Sequence, residues 1–394
     1  MEIKQWRDVL HIVSGKNQRT VENPNGKYPI YGSGGLMGYA DEYLCEAGTT
    51  IVGRKGTINR PIFVTEPFWN IDTAFGVVPD KGLDPKYLYY FCVHFNFMPL
   101  DKSTGRPSLA KSDLLKIEMP VPSLAEQERI VARIEELFSQ LDAGVETLKK
   151  TKAQLAVYRQ AVLKEAFEGR LTNHIPVSLS LSWASGEETK TLPVIPEEWH
   201  YIALKHLGDL GRGKSKHRPR NDPKLFVDGK YPFIQTGDVK AATNHITTFT
   251  KLYGEFGLSQ SKLWPKGTLC ITIAANIAET AFLGIDACFP DSVVRFTPND
   301  NVLAEYIRYF IESQKIRLWA FAPATAQKNI NLDTLENLIV PYCSIDEQRY
   351  VISEIESRMS VCDSIEQTVD AALQQAEAMR QSILKNAFEG KLTW

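Results

Sequence analysis

The chain has 394 residues, enough for two or three domains, and its 43% hydrophobic and 23% charged side chains are ordinary for a globular protein. A formal net charge of -2 excludes a uniformly basic nucleic-acid binder, so any polyanion site has to be built from local clusters. The six cysteines are scattered without a Cys-x-x-Cys pair and read as reduced, small apolar residues of a cytoplasmic protein.

Met1-Glu-Ile-Lys-Gln-Trp6 has no apolar signal core. Residues 1–121 are expected to form a first globular segment. Within it Thr50-Ile-Val, Pro61-Ile-Phe-Val and Gly76-Val-Val, separated by Gly and Pro, predict short strands, and Lys86-Tyr-Leu-Tyr-Tyr-Phe-Cys-Val predicts a helix. Residues 122–172 predict one long helix over about 124–168. Ser123 and Glu126 have capping-box spacing, Gly169 stands where a left-handed residue ends a helix, and only Gly144 interrupts the run. Residues 173–198, with four serines and three prolines, read as a linker. A second globular segment is expected over 199–340 and a second long helix over 341–394, between Ser344/Glu347 and Gly390. The most apolar long stretch, Leu269 to Phe289, contains Asn276, Glu279 and Asp286, which argues against a membrane span.

The two helical stretches are copies of one another. A constant shift of 221 carries Glu126 to Glu347, Ile134 to Ile355, Arg159 to Arg380, Leu163 to Leu384 and Phe167 to Phe388 without a gap. Their apolar residues alternate steps of three and four. The seam includes Ile134, Phe138 and Leu141 in the first copy, and Ile355, Met359 and Ala387 in the second. Lys152, Arg159, Glu366 and Arg380 fall on the seam, so an imperfect antiparallel coiled coil is expected. The globular segments echo each other weakly: Gly15-Lys16 resembles Gly213-Lys214, Tyr28-Pro29-Ile30 resembles Tyr231-Pro232-Phe233, and Gly48-Thr-Thr-Ile-Val resembles Gly267-Thr-Leu-Cys-Ile. The expected fold class is α+β, a tandem duplication with pseudo-two-fold symmetry in which two α/β domains are joined by two long antiparallel helices.

Candidate chemistry is concentrated in loops. Gly208-Asp-Leu-Gly-Arg-Gly213-Lys214-Ser215 fits the phosphate-cradling pattern of nucleotide hydrolases. That loop must open a helix, and Pro219 and Pro223 break one here, so a nucleotide hydrolase is not expected. The same segment places Arg212, Lys214, Lys216, Arg218 and Arg220 within nine residues, suited to neutralising several phosphates. In the first half Lys16, Asn17 and Arg19, then Arg54-Lys55 and Asn59-Arg60, and finally Arg106 offer comparable contacts; Gln327 and Lys328 precede the second helix. Arg, Lys, Asn and Gln read base edges in the major groove by paired hydrogen bonds. Tyr31-Gly-Ser-Gly-Gly35 and the loop beginning at Gln235 are either base-reading loops or plain turns. Catalysis has little support: no His/Cys cluster has metal-ligand spacing, no Asn/Asp-Pro-Pro-aromatic tetrapeptide is present, and Asp291 reads as structural. A coiled-coil adaptor that assembles proteins without touching DNA remains the alternative reading.

The two Pro…Glu126-Gln127 and Pro…Glu347-Gln348 segments resemble those of the specificity (S) subunit of type I restriction–modification systems. So do the two Ala-Phe-Glu-Gly-Arg/Lys-Leu-Thr endings, Tyr231-Pro-Phe-Ile-Gln-Thr-Gly-Asp-Val and Gly48-Thr-Thr-Ile-Val-Gly-Arg54-Lys55-Gly. The resemblance covers nearly the whole chain. It implies that each globular segment is a target recognition domain for one half of a bipartite, asymmetric site on double-stranded DNA. It further implies that the helices set the gap and dock two methyltransferase subunits, with restriction subunits in the full complex. S-adenosylmethionine, ATP and Mg would then belong to the partners, with no cofactor and no catalytic residue in this chain.

Overall fold

A computed structural model describes residues 2–172, 182–185, 188–321 and 329–392. The segment 322–328, with Gln327 and Lys328, lies outside the described residues, as does Thr393. The chain divides into two compact units, residues 1–151 with 368–394, and residues 152–367.

In the first unit the strands are β1 (Glu2–Gln5), β2 (Leu10–Ser14), β3 (Tyr28–Gly32), β4 (Gly35–Ala40), β5 (Thr49–Gly53), β6 (Ile62–Val64), β7 (Trp69–Asn70), β8 (Ala74–Pro79) and β9 (Glu118–Val121). β5 is buried along its whole length, which suits its run of β-branched residues Thr49-Thr-Ile-Val. It is an interior strand of the antiparallel sheet β2-β8-β5-β6, beside a smaller sheet β4-β3-β7. A helix over Pro85–His94 follows, with Pro85 in its first turn and the Asp84 carboxylate accepting from Tyr87 N–H at 2.8 Å. It buries Tyr87, Leu88, Phe91 and Cys92. β1 and β9 close the unit as an antiparallel ribbon pairing Glu2 with Val121.

The second unit repeats this order. The hairpin β10 (Ser182–Ser185) and β11 (Glu188–Thr191) lies within the stretch expected to be a linker. There follow β12 (His200–Ala203), β13 (Gly208–Arg212), β14 (Tyr231–Phe233), β15 (His245–Ile246), β16 (Lys251–Tyr253), β17 (Leu269–Thr272), β18 (Thr280–Leu283), β19 (Val293–Pro298) and β20 (Ile339–Tyr342). β17 is buried throughout, as β5 is, inside the sheet β13-β19-β17-β18-β15. The helix Ala304–Ser313 takes the place of Pro85–His94, and β12 with β20 forms the closing ribbon, pairing His200 with Tyr342.

Both long helices run 44 residues, Leu124–Phe167 and Ile345–Phe388, about 65 Å each. Gly144 does not break the first, because an unhindered glycine costs a helix only about 1 kcal/mol. Each unit takes one part of each helix, and the parts lie antiparallel. In the first unit Ile134 shares a core with Leu384, Ala387 and Phe388. Further along, the Arg380 guanidinium sits 4.8 Å over the Phe138 ring and pairs with Asp142. In the second unit Ile355 and the half-buried Met359 pack with Val162 and Leu163. There Arg159 bonds Asp363 at 2.7 Å and Glu366 at 3.0 Å, and Lys152 reaches Glu366 at 3.5 Å. Leu141 is half-buried. The four polar residues on the apolar seam therefore pair between helices, a device that sets register. The Ser344–Glu347 box forms through side chains, Glu347 N–H reaching Ser344 Oγ at 3.3 Å. At Ser123 the first turn closes through backbone bonds to its carbonyl.

A buried glutamine fastens each globular part to its helix. Gln127 is fully buried. Its Nε2 donates to Gly82 O (3.0 Å) and Pro122 O (2.9 Å), and its Oε1 accepts from Asp84 N–H (2.8 Å). Gln348 does the same in the second unit with Asn301 O (3.1 Å), Cys343 O (2.9 Å) and Leu303 N–H (2.9 Å). Beside each, a tyrosine hydroxyl donates to a strand carbonyl, Tyr87 to Pro120 O (3.0 Å) and Tyr306 to Pro341 O (2.7 Å). The glutamines of the Glu-Gln pairs that carry the family resemblance are thus joints between head and rod.

Candidate nucleic-acid interface

In the first unit one short link, Asn70 to Ala74, gathers three loops through its backbone. Lys16 N–H donates to Asn70 O (3.0 Å), Gly15 N–H to Ala74 O (3.2 Å), Ile71 N–H to Tyr31 O (2.9 Å), and Arg54 and Lys55 N–H both to Thr73 O (2.8 and 3.1 Å). The turn after β5 needs its glycines: a Cβ on Gly53 would lie 2.0 Å from Thr57 O, and Gly56 has φ +84°. The segment 106–109 then pairs with this turn, Gly56 N–H donating to Pro107 O and Leu109 N–H to Arg54 O, both at 2.8 Å. Ser33 Oγ closes the ring by donating to Lys55 O at 2.8 Å.

This arrangement brings Lys16, Lys55 and Arg106, all exposed, around the link. The Arg106 guanidinium lies over Gly56, with Nη2 2.7 Å from where a Cβ would sit. Arg54 turns inward, with Nη1 3.4 Å from Asp72 O and its guanidinium over the Phe75 ring. Asn17 and Arg19 continue from Lys16 in an exposed loop, where Asn17 Oδ1 accepts from Arg19 N–H at 2.9 Å. Asn59 is engaged elsewhere, accepting from Phe97 N–H at 2.8 Å. No bond among the described residues ties Asn59 or the neighbouring Arg60 to the link.

In the second unit the link is Phe289 to Val293, and three of its bonds have direct counterparts, while the contact to the loop after β14 runs in the opposite direction, Pro290 having no N–H to donate. Lys214 N–H donates to Phe289 O (3.0 Å), Gly213 N–H to Val293 O (2.8 Å), Ile234 N–H to Cys288 O (2.8 Å) and Ile273 N–H to Ser292 O (3.0 Å), while Ile330 N–H donates to Ile273 O (2.9 Å). The isolated bridge Lys55–Ser108 of the first unit has its counterpart in Ala274–Asn329. Ala275 keeps the left-handed φ of Gly56, at +63°. The phosphate-loop look-alike is strand β13 followed by an irregular loop, so no helix opens behind Lys214 and Ser215.

A cleft of ≈ 350 Å³ opens beside this link, lined among others by Arg212, Arg220, Thr236, Asp291, Ser292 and Asn329. Its electrostatics divide the five-cation run in two. Arg220 pairs with Asp291 at 2.5 Å, and Arg218 lies 3.8 Å from the same carboxylate while donating to Ser215 O at 2.6 Å. Arg212, Lys214 and Lys216 are exposed and have no ion pair among the described residues. His217 meets Asp222 at 2.7 Å; the Lys224 backbone N–H and then His217 hold the Asp222 carboxyl below its usual range. Gln235 precedes the short helix Thr236–Ala241, its N–H bonded to Asp238 Oδ2 at 2.8 Å. Ser33 and Thr236 lie in the two loops that the sequence offers as base-reading loops or plain turns, and Asn329 directly follows Gln327-Lys328, whereas Thr73, Ser292 and the place of Asp291 in the cleft are not evident from sequence. The Gly48/Gly267 echo was the available signal, since it aligns Lys55 with Ala274.

The sequence matches the type I restriction modification DNA specificity domain over residues 1–156 and again over 196–375. The chain belongs to that family. Among curated relatives, this specificity-family chain is 26% identical over 355 residues to the type I restriction enzyme EcoBI specificity subunit of Escherichia coli, covering 87% of this chain and 73% of that one. It is 22% identical to the EcoDI specificity subunit of the same species, covering 98% and 87%. In fold it resembles a chain solved in work on complex assembly and conformational transition of the type I R-M system (TM-score 0.76, 17% identity, 99% and 98% covered). It also resembles the HsdS subunit from Thermoanaerobacter tengcongensis (TM-score 0.57, 17% identity, 99% and 97% covered).

Proposed function

We propose that each unit reads one half of a bipartite, asymmetric site on double-stranded DNA for a type I restriction–modification complex. Residues 1–121 and 199–340 serve as the recognition domains. The helical segments 122–172 and 341–394 set the gap between the half-sites and dock two methyltransferase subunits, and 173–198 links the halves. Methyl transfer and cleavage, with S-adenosylmethionine, ATP and Mg, fall to methyltransferase and restriction partners. One observation carries the reading: both units build the same backbone hub and dress it differently. Ser33, Lys55, Thr73 and Ser108 of the first correspond to Thr236, Ala274, Ser292 and Asn329 of the second. Such a frame holds register while its side chains select bases. Unlike side chains on a shared frame favour two unlike words. Family membership favours this reading over the adaptor.

A band-shift titration of the full chain with its methyltransferase subunit, at two salt concentrations, tests the proposal. Affinity is expected to fall steeply as salt rises. Mapping of methylated bases in the source cell is expected to yield two different words with one fixed gap. A DNA-independent complex, or a single word, would overturn it.

A further inference from the structure

The rims of the two hubs differ in kind. In the second unit the residues after Gln235 form the helix Thr236–Ala241, and its apolar residue Val239 is buried. In the first the corresponding residues form the β3–β4 hairpin, whose outgoing strand begins Gly35-Leu36-Met37. Leu36 is 54% exposed and Met37 59%, with Tyr39 at 42% a little further along. Adjacent large apolar side chains held in water at a functional rim mark a contact surface.

The hairpin is braced where it meets the hub. Gly32 pairs with Gly35 across the turn, Ser33 Oγ bonds Lys55 O at 2.8 Å, and Ser33 N–H reaches Thr73 Oγ1 at 3.5 Å. The Met37 thioether lies against Gly32, its Sδ 2.8 Å from where a Cβ would be. Around this tip stand Lys55 and Arg106, and Lys27 sits 5.3 Å over the Tyr28 ring at the base of the hairpin. Carboxylates approach the hairpin as well, Glu22 beside Gly38 and Glu66 near Tyr31, the partner of Leu36. An apolar point with two cations, Lys55 and Arg106, beside its turn fits a partner that is anionic outside and apolar within. A duplex has that character, its phosphates outermost and its stacked base faces reachable only by opening a step.

We propose that Leu36 and Met37 form a wedge that enters one base step of the first half-site and unstacks it. Leu and Met are side chains that minor-groove binders insert in this way, kinking the duplex. The unbranched Met37 side chain adapts to the opened step. Because the second unit presents a helix at this place, the distortion belongs to one word only. The inference rests on the DNA reading above.

The test uses the full chain with its methyltransferase subunit and a duplex selected by that complex from a random-sequence pool. 2-Aminopurine is placed at successive purines of both words, and its fluorescence rises where stacking is lost. The wild type is expected to raise the signal at one step of the word read by the first unit. The double variant L36S/M37S is expected to abolish that rise and keep the salt dependence of binding, since the lysines and Arg106 are untouched. Both side chains are more than half exposed, so circular dichroism is expected to be unchanged. A flat wild-type signal, a rise that survives L36S/M37S, or loss of methyltransferase binding in the variant overturns the wedge. If the complex selects no sequence from the pool, the DNA reading itself fails instead.

Discussion

Gln127 and Gln348 show how one side chain can fix the angle between a head and its helix. Each satisfies three backbone groups at a chain reversal, and each is shut away from water. Removing the amide strands buried donors and acceptors, whose desolvation outweighs any lost packing. Gln127→Ala and Gln348→Ala are each expected to cost about 2–4 kcal/mol in urea unfolding. A loss below about 1 kcal/mol would mean that water replaces the amide. His94 makes a second prediction. It stacks on the Phe388 ring at 5.5 Å, and burial holds its pKa below 6.5; Lys385 adds to the shift and Glu389 opposes it. Folding therefore favours the neutral ring. Its contribution is whole above pH 6.5 and is lost as pH falls below that value towards the lowered pKa of the folded state. Thermal melts from pH 7.5 to 5.5 are expected to show a fall in stability that His94→Phe flattens.

At the scale of elements, the helices and the heads obey different constraints. A helix keeps one residue period over its whole length, so its copies stay in step at a shift of 221. The heads do not: Glu2 corresponds to His200, Gly48 to Gly267 and Val121 to Tyr342, so the offset grows through the chain. Most of the extra residues of the second head fall in the cationic loop after β13 and in the segment between β14 and β17. Loops absorb insertions at little entropic cost, whereas a helix seam would be thrown off its face. The proposed ruler gives a prediction at this scale. Deleting one heptad from both helices at matched seam positions is expected to shorten them by about 10 Å. The mapped methylation sites should then keep both words and lose base pairs from the gap. A changed word with an unchanged gap would count against the ruler.

For the molecule as a whole, charge is organised locally rather than globally. A chain of net charge -2 presents Lys16, Lys55 and Arg106 around one hub and Arg212, Lys214 and Lys216 near the other. Each phosphate contact removed lowers the slope of log affinity against log salt by roughly one unit. Lys55→Ala with Arg106→Ala is therefore expected to reduce that slope by about two, measured by anisotropy on a half-site duplex of the first word. An unchanged slope would remove these residues from the interface.

Sequence alone determined what repeats on a short period. The two long helices, their seam, their glycine ends and the duplication were all legible, because a helix writes its buried face into every third or fourth residue. The strands at Thr49–Gly53, Ile62–Val64 and Ala74–Pro79 were legible too, as apolar runs between turn residues. Tertiary structure decided which cations act together. Arg218 and Arg220 lie in the same run as Lys214, yet they are bound to Asp291, and Asn59 is held by Phe97. The hubs join segments tens of residues apart through backbone N–H and C=O groups. Those groups are the same in every residue, so the bonds that assemble the site leave no mark in the order of side chains.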